Sequence, residues 1–436
     1  MNLNKGQIII IGSGVLIIAF FVLGFMGVIP GFRKSDGGDP NFPKEKVELV
    51  MWGVGDQLSA YSDIFKTYQD IYKNVRISYI EFASVDSYEQ ELVNAFAEGR
   101  GPDIFMIHNT WLLEHIGKMR PAPVTFLTSQ TMAQLYPWVV SRDFVYQGGV
   151  YALPLNMDVL ALFYNKDIFN VKGVVYPPAT WDDVLKTVLA TRTIGADKKI
   201  ETAAIALGGA KNVENLSDIL SVLMLQGGSS IVSASSGGVR FDSPAQEAVL
   251  FYLQFSNPIN PYYTWNESFE NSRQAFASGK VAMILDYRDA LDELKQKNPF
   301  LNMGVAVLPQ LSSQDPSLYT TSAHYYGLAV AKQTSASKAY VAWHFLKWMN
   351  TTPDINSLYL ERTKKFPALL SLIQKQFGGD DDVFARGALV AKSWSQANSS
   401  ATESIFQNTI SDILSGRVDI SRALRAAEEE ITALYR

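Results

Sequence analysis

The side chains that could do chemistry in this chain are few and widely spaced. Asp56 and Asp158 each follow an apolar run, and two carboxyls flanking one bond are what a glycoside hydrolase needs. Tyr325 and Tyr326 stand side by side after His324, and phenolate oxygens suit a hard cation. Against a metal, the 436 residues hold four histidines and no tight His/Asp/Glu cluster along the chain. There is no cysteine, which removes disulfides, thiol nucleophiles, Cys-ligated zinc, iron–sulfur clusters and a Cys-linked lipid anchor. The body carries no P-loop, HExxH or G-x-S-x-G pattern. Ile8 to Gly14 imitates a strand running into a dinucleotide-binding loop. Ile17 stands where the third glycine belongs, and the charge-free run goes on to Ile29. No cofactor and no resident metal are expected.

The elements that would position these residues alternate in type. Hydrophobic residues make up 47% and charged residues 19%, enough to bury a core, and 436 residues exceed one ordinary domain. Val47–Trp52, Val75–Ile80 and Asp103–Ile107 read as strands, with helical spacing over Leu58–Tyr72 and Tyr88–Glu98 between them. That order predicts an α/β lobe with a largely parallel sheet, whose ligands bind beyond the carboxyl ends of the strands. The loops after Trp52 and Ile107 are the places to look. Further on, Thr180 can cap a helix beginning at Trp181, and Ser243-Pro244 opens one through Phe255. Val281–Leu285 and Met303–Leu308 read as strands, Ala336–Met349 and Ser421–Leu434 as helices.

The N-terminal end is different. Ile8 to Ile29 is 22 residues without a charge, a helix of roughly 33 Å against a bilayer core of about 30 Å. It is too long for a signal-peptide core and lacks a good cleavage site, so it is expected to be an uncleaved single-pass anchor. Residues 30–46 read as a flexible tether. Residues 1–46 hold five Lys/Arg against three Asp/Glu, which leaves the rest of a chain of net charge −5 at −7. An acidic body argues against nucleic acid as a partner.

The order of the motifs resembles the extracytoplasmic solute-binding proteins of the maltose-binding type. Gly101-Pro102-Asp103-Ile104-Phe105 is similar to that family's glycine-Pro-Asp-Ile strand, and Tyr146 to Pro154 to its aromatic hairpin ending in Ala-x-Pro. Tyr164-Asn165-Lys166-Asp167, Pro178 to Asp183, Phe276 to Met283, Val305 to Pro309, Gly327 to Val330 and Ser415-Gly416-Arg417 follow in the family's order. The resemblance implies a type II periplasmic-binding-protein fold, two α/β lobes joined by a three-segment hinge. One lobe would hold 47–157 and 328–372, the other 158–327 and 373–436. It also implies a binding rather than a catalytic role, with delivery to the permease subunits of an ABC transporter.

Residue by residue, the resemblance points to a cleft. Asp56 and Gln57 stand at polar contact positions in the loop after the first strand; the alternative is a solvated turn or cap. His108, Asn109 and Trp111 follow the Pro-Asp-Ile strand, but Ile107 and Thr110 replace the family's aromatic and acidic contacts there. Trp111 either supplies a stacking ring or caps the core with Leu112 and Leu113. Asn156 and Asp158 sit at the first hinge crossing, Asp158 in place of a glutamate contact or as a hinge hydrogen bond. Lys211 and Asn212 are in a glycine-rich loop that faces the cleft or is a plain turn. Tyr287 is the expected ring after the Met283 strand, since Asp289 takes the family's tryptophan position; Arg288 either reaches ligand or pairs with Asp289 on the surface. Tyr325 and Tyr326 enter the second crossing, where iron-binding relatives use adjacent tyrosines and others a single ring. Phe366, Trp394 and Glu403 complete the set, Glu403 again replacing a tryptophan.

Three changed stacking positions make maltose itself doubtful. Eight Trp, 20 Tyr and 24 Phe nevertheless offer rings for the apolar faces of sugars. The expectation is a membrane-tethered, extracytoplasmic binding protein for a carbohydrate. The alternatives are a sensor docking on a membrane receptor, a glycoside hydrolase and a ferric-binding protein.

Overall fold

The computed structural model of the protein describes residues 41–197, 199–233, 238–312, 315 and 318–435. The chain divides into two units, Met1–Glu45 and Lys46–Arg436, and every element below lies in the second. The expected membrane helix over 8–29 and the tether as far as residue 40 fall outside the described residues. Among the described residues no helix is long and apolar enough to cross a membrane.

The first sheet begins where the apolar alternation begins. Val47–Val54 pairs in parallel with Val75–Phe82 on one side and Ile104–His108 on the other. Asp103 fastens the third strand to the first: its N–H donates to the Val50 carbonyl at 2.9 Å, and its carboxylate accepts from the Val50 N–H at 3.0 Å. Tyr326–Ala331 then pairs antiparallel with Ile104–His108, and itself receives Met119–Arg120 and Ala152–Pro154. The sheet is therefore mixed, not largely parallel as expected, because a strand from far along the chain completes it. Gly327 makes that insertion possible, since a Cβ there would stand 2.7 Å from the Leu153 carbonyl oxygen. The helix Val85–Ala97, capped by Ser84, covers one face, and Ala336–Thr351 packs on the sheet through Val341, Phe345 and Leu346.

The second sheet runs in the order Thr193–Ile194, Ile200–Ile205, Val281–Asp286, Ala161–Asn165, Met303–Ala306. The Thr180 hydroxyl accepts from the Asp183 N–H and caps Trp181–Thr191, and Asp242 caps Ser243–Leu253. The latter helix stops two residues short of the expected Phe255, whose carbonyl takes the N–H groups of Thr264 and Trp265 instead. These two sheets with their helices form a two-domain α/β architecture.

Three passages join the two sheets. Leu155 to Met157 links Ala152–Pro154 to Asp158–Val159; Tyr325 links Thr321–His324 to Tyr326–Ala331. Lys364 to Leu369 follows the helix Pro353–Thr363 and leads towards Asp382–Val390. The passages are hydrogen-bonded to each other: the Leu155 N–H donates to the Tyr326 carbonyl at 2.9 Å, and the Met157 N–H to the Phe366 carbonyl at 3.0 Å. Beside them a small sheet pairs Ala391–Lys392, Thr321–His324 and Asp158–Val159.

Candidate ligand-binding site

A cavity of about 590 Å³ opens where the three passages meet the loop after Val281–Asp286. The first passage supplies Asn156 and Asp158, the second His324, Tyr325 and Tyr326, and the third Thr363 to Phe366. Arg288, Asp289 and the helix Ala290–Lys297, through Leu291, Asp292 and Lys295, form the opposite wall. The volume falls in the range of small-ligand sites, roughly 300–1,000 Å³. Asn156 is buried, and its side-chain oxygen has no partner. Lys364 holds a left-handed backbone, φ 59°, at the end of its helix, a strained geometry for a side-chain-bearing residue.

Several charges at the cavity are tied down by the protein itself. Asp158 accepts from the Val159 N–H at 2.7 Å and from the N–H groups of Arg288 and Asp289 at 3.0 Å each. Burial, and then the Asp289 charge, push its carboxyl up to about 8 against those three bonds. The Arg288 guanidinium forks onto Asp381 at 2.7 and 2.9 Å and donates to the Lys364 carbonyl at 2.6 Å. It does not pair with Asp289 on the surface. Asp56 lies just behind the wall, and its carboxylate accepts from Tyr61 and Tyr359 at 2.8 Å and from the cavity-lining Lys365 at 2.6 Å.

The second layer explains several candidates. His108 bonds Thr110 through Nδ1 at 2.8 Å and faces His324 Nδ1 through Nε2 at 3.1 Å. Burial first, and the facing ring second, hold the His108 imidazole well below its usual range, so it is neutral. Tyr287 packs against His324 with ring centres 5.1 Å apart and donates to Asp218 at 2.9 Å. Successive residues point to opposite sides of an extended chain. Accordingly Tyr326 lines the cavity and packs on His108 and Trp111, while the Tyr325 hydroxyl donates away from it to Asp143 at 2.6 Å. The two tyrosines therefore do not aim their phenols at one point, as a ferric pair would. Asn109 also belongs to this layer, donating to Asp143 at 3.0 Å and accepting from the Tyr325 N–H. Trp111 is buried against His108, His115 and Tyr326 and does not line the cavity.

Other candidates stand away from the cavity. Gln57 is exposed and caps the short helix Leu58–Ala60 without a side-chain bond. Lys211 is exposed on its glycine-rich loop. Asn212 is buried in a structural role: it donates to the carbonyls of Asn266 and Phe269 and accepts from the Trp265 indole. The Trp394 indole donates to Ser221 at 2.9 Å. Glu403 accepts from Gln407, and its charge helps burial to raise Asp218 to about 7. Phe366 does line the cavity, with Phe384 behind it. Asp292, Lys295 and Lys365 also line the cavity, beyond the expected set. Only Lys365, next to Phe366-Pro367, had a neighbouring signal in the sequence.

Two α/β sheets joined by three passages, with a cavity at the passages, define a two-domain binding-protein fold. The chain belongs to the family of bacterial extracellular solute-binding proteins, whose model matches residues 53–354. It is 23% identical over 407 residues to the maltotriose-binding protein of Pyrococcus abyssi, covering 88% of this chain and 82% of that one. With a binding protein of Brucella abortus the match is 22% over 221 residues, half of this chain and 52% of the relative's own length. Among solved structures, the sugar-binding protein MalE from Xanthomonas citri aligns over 89% of this chain and 97% of its own, with a TM-score of 0.72 at 17% identity. The cyclic alpha-maltosyl-1,6-maltose binding protein from Arthrobacter globiformis aligns equally well, TM-score 0.72, 18% identity, 89% and 99% covered. At these identities the solved structures show the fold.

Proposed function

We propose that the protein captures a sugar or oligosaccharide between its two lobes and delivers it to an ABC transporter permease outside the cytoplasm, held to the membrane by residues 8–29. The lobes in this reading are 47–157 with 328–372 and 158–327 with 373–436. The observation that carries it is the cavity walled by all three passages. It presents the rings of Tyr326 and Phe366 beside the unpartnered oxygen of Asn156. Rings cover the apolar faces of a pyranose, and a buried acceptor takes a hydroxyl. Ligand touching groups on both sides of the passages favours the closed arrangement by differential contact. The relatives named for sugars support the same ligand class.

The state of two carboxylates supports a reading of binding without turnover. Asp56 and Asp158 already accept three hydrogen bonds each. Much of their hydrogen-bonding capacity is therefore taken up within the protein.

A thermal-shift screen against sugars, oligosaccharides, amino acids, polyamines and ferric ion tests the reading. A hundredfold excess over Kd stabilises the folded state by about 2.7 kcal/mol. A sugar shift that Asn156→Ala and Tyr326→Ala each reduce, with the sugar recovered intact, is expected. A shift only from another ligand class, or a hydrolysed sugar, overturns it.

A further inference from the structure

A second cluster lies outside the cavity. Glu89, on Val85–Ala97, comes to Glu114 and His115, on the short helix Leu112–His115, and their ligating atoms all lie within 4.8 Å of one another. No tight cluster shows along the chain, because Glu89 is distant in sequence from the other two. His115 is fully buried, its Nε2 has no hydrogen-bond partner, and it stands 4.0 Å from Glu114 Oε1. Glu114 Oε2 is also buried without a partner. Buried polar atoms left without a partner point to a water or an ion held beside them.

We propose that Glu89, Glu114 and His115 bind a divalent transition-metal ion of the zinc class. One imidazole nitrogen with two carboxylates is a donor set for a borderline cation, where an all-oxygen set would suit calcium or magnesium. Bond lengths of about 2.0–2.2 Å draw the three side chains inward, and three protein ligands leave a fourth position open. The Trp111 ring packs on His115 and also on the cavity-lining Tyr326, so two side chains, Trp111 and Tyr326, connect His115 to the cavity. Lys118 opposes binding. Its ammonium donates to His115 Nδ1 at 3.2 Å, which puts the imidazole proton on Nε2. When the ion takes Nε2, that proton moves to Nδ1, and Lys118 must turn away.

The test is a calorimetric titration of the metal-stripped full-length protein with zinc chloride and no sugar present, so that it stands or falls apart from the carbohydrate reading. One saturable site is expected, and Glu89→Gln and Glu114→Gln should each weaken it about tenfold or more. Both residues are partly exposed and the changes isosteric, so the variants should keep the wild-type circular dichroism. Lys118→Met should tighten the site by freeing Nδ1 to hold the proton. No saturable binding, or equal zinc affinity in the Glu89→Gln/Glu114→Gln double variant, overturns the assignment. So does calcium binding as tightly as zinc.

Discussion

Replacing Lys365 by methionine would remove the ammonium that pairs with Asp56 while keeping most of the side-chain bulk. Asp56 is 3% exposed, and its carboxylate is held by two phenols and the Lys365 Nζ at 2.6 Å. Removing one partner of a fully buried pair costs about 3–5 kcal/mol, because the remaining charge stays buried without compensation. Two facts reduce that here. The Lys365 side chain is 28% exposed, so part of the attraction is screened, and Tyr61 and Tyr359 still donate to the carboxylate. A loss of about 2–3 kcal/mol is expected. Urea unfolding of the wild type, Lys365→Met, Asp56→Asn and the double variant measures it. The double variant should lose less than the sum of the single changes, by about 1–2 kcal/mol. A single-variant loss under about 0.5 kcal/mol, the range of a neutral surface change, would refute the reasoning, as would strict additivity.

Two further outcomes follow from the same structure. Asp218 titrates at about 7 in the folded protein, raised mainly by burial, against about 4 when unfolded. The folded state therefore binds more protons between those values, so stability falls as pH rises from about 4 to 7; in Asp218→Asn, which keeps the acceptor for Tyr287, urea midpoints measured across that window should fall less steeply. Gly327→Ala would drive a Cβ to 2.6 Å from Phe144 and 2.7 Å from the Leu153 carbonyl, and thermal unfolding should show a loss of about 1–3 kcal/mol, or the close approach of these strands is not as described.

Much of the strand and helix order could be read locally. The strands expected over Val47–Trp52, Val75–Ile80 and Asp103–Ile107 came from short apolar runs, alternating in the second, and the Thr180 cap from one residue type in front of a periodic run. These signals are short-range and survive without neighbours. The site was less legible. Asn156, Asp158, Arg288, Tyr325, Tyr326 and Phe366 do border the cavity, yet Asn212, Asn109 and Trp394 are polar or aromatic residues whose partners lie elsewhere. A residue type states which bonds it can make, not which partner the fold brings to it.

By itself the sequence determined the chemistry on offer: no thiols, many rings, an acidic body, a charge-free stretch near its start and an order of motifs that marks a family. The tertiary structure decided which groups remain available. Insertion of Tyr326–Ala331 beside Ile104–His108 turned Tyr325 and Tyr326 to opposite sides of the second passage. The return of the chain at Lys364 to Phe366 brought Lys365 to Asp56 and a ring to the cavity. Packing of Val85–Ala97 set Glu89 against Glu114 and His115. Each depends on contacts between residues far apart in the chain, whose geometry is set when the sheets close and apolar faces leave water, and no local pattern encodes it.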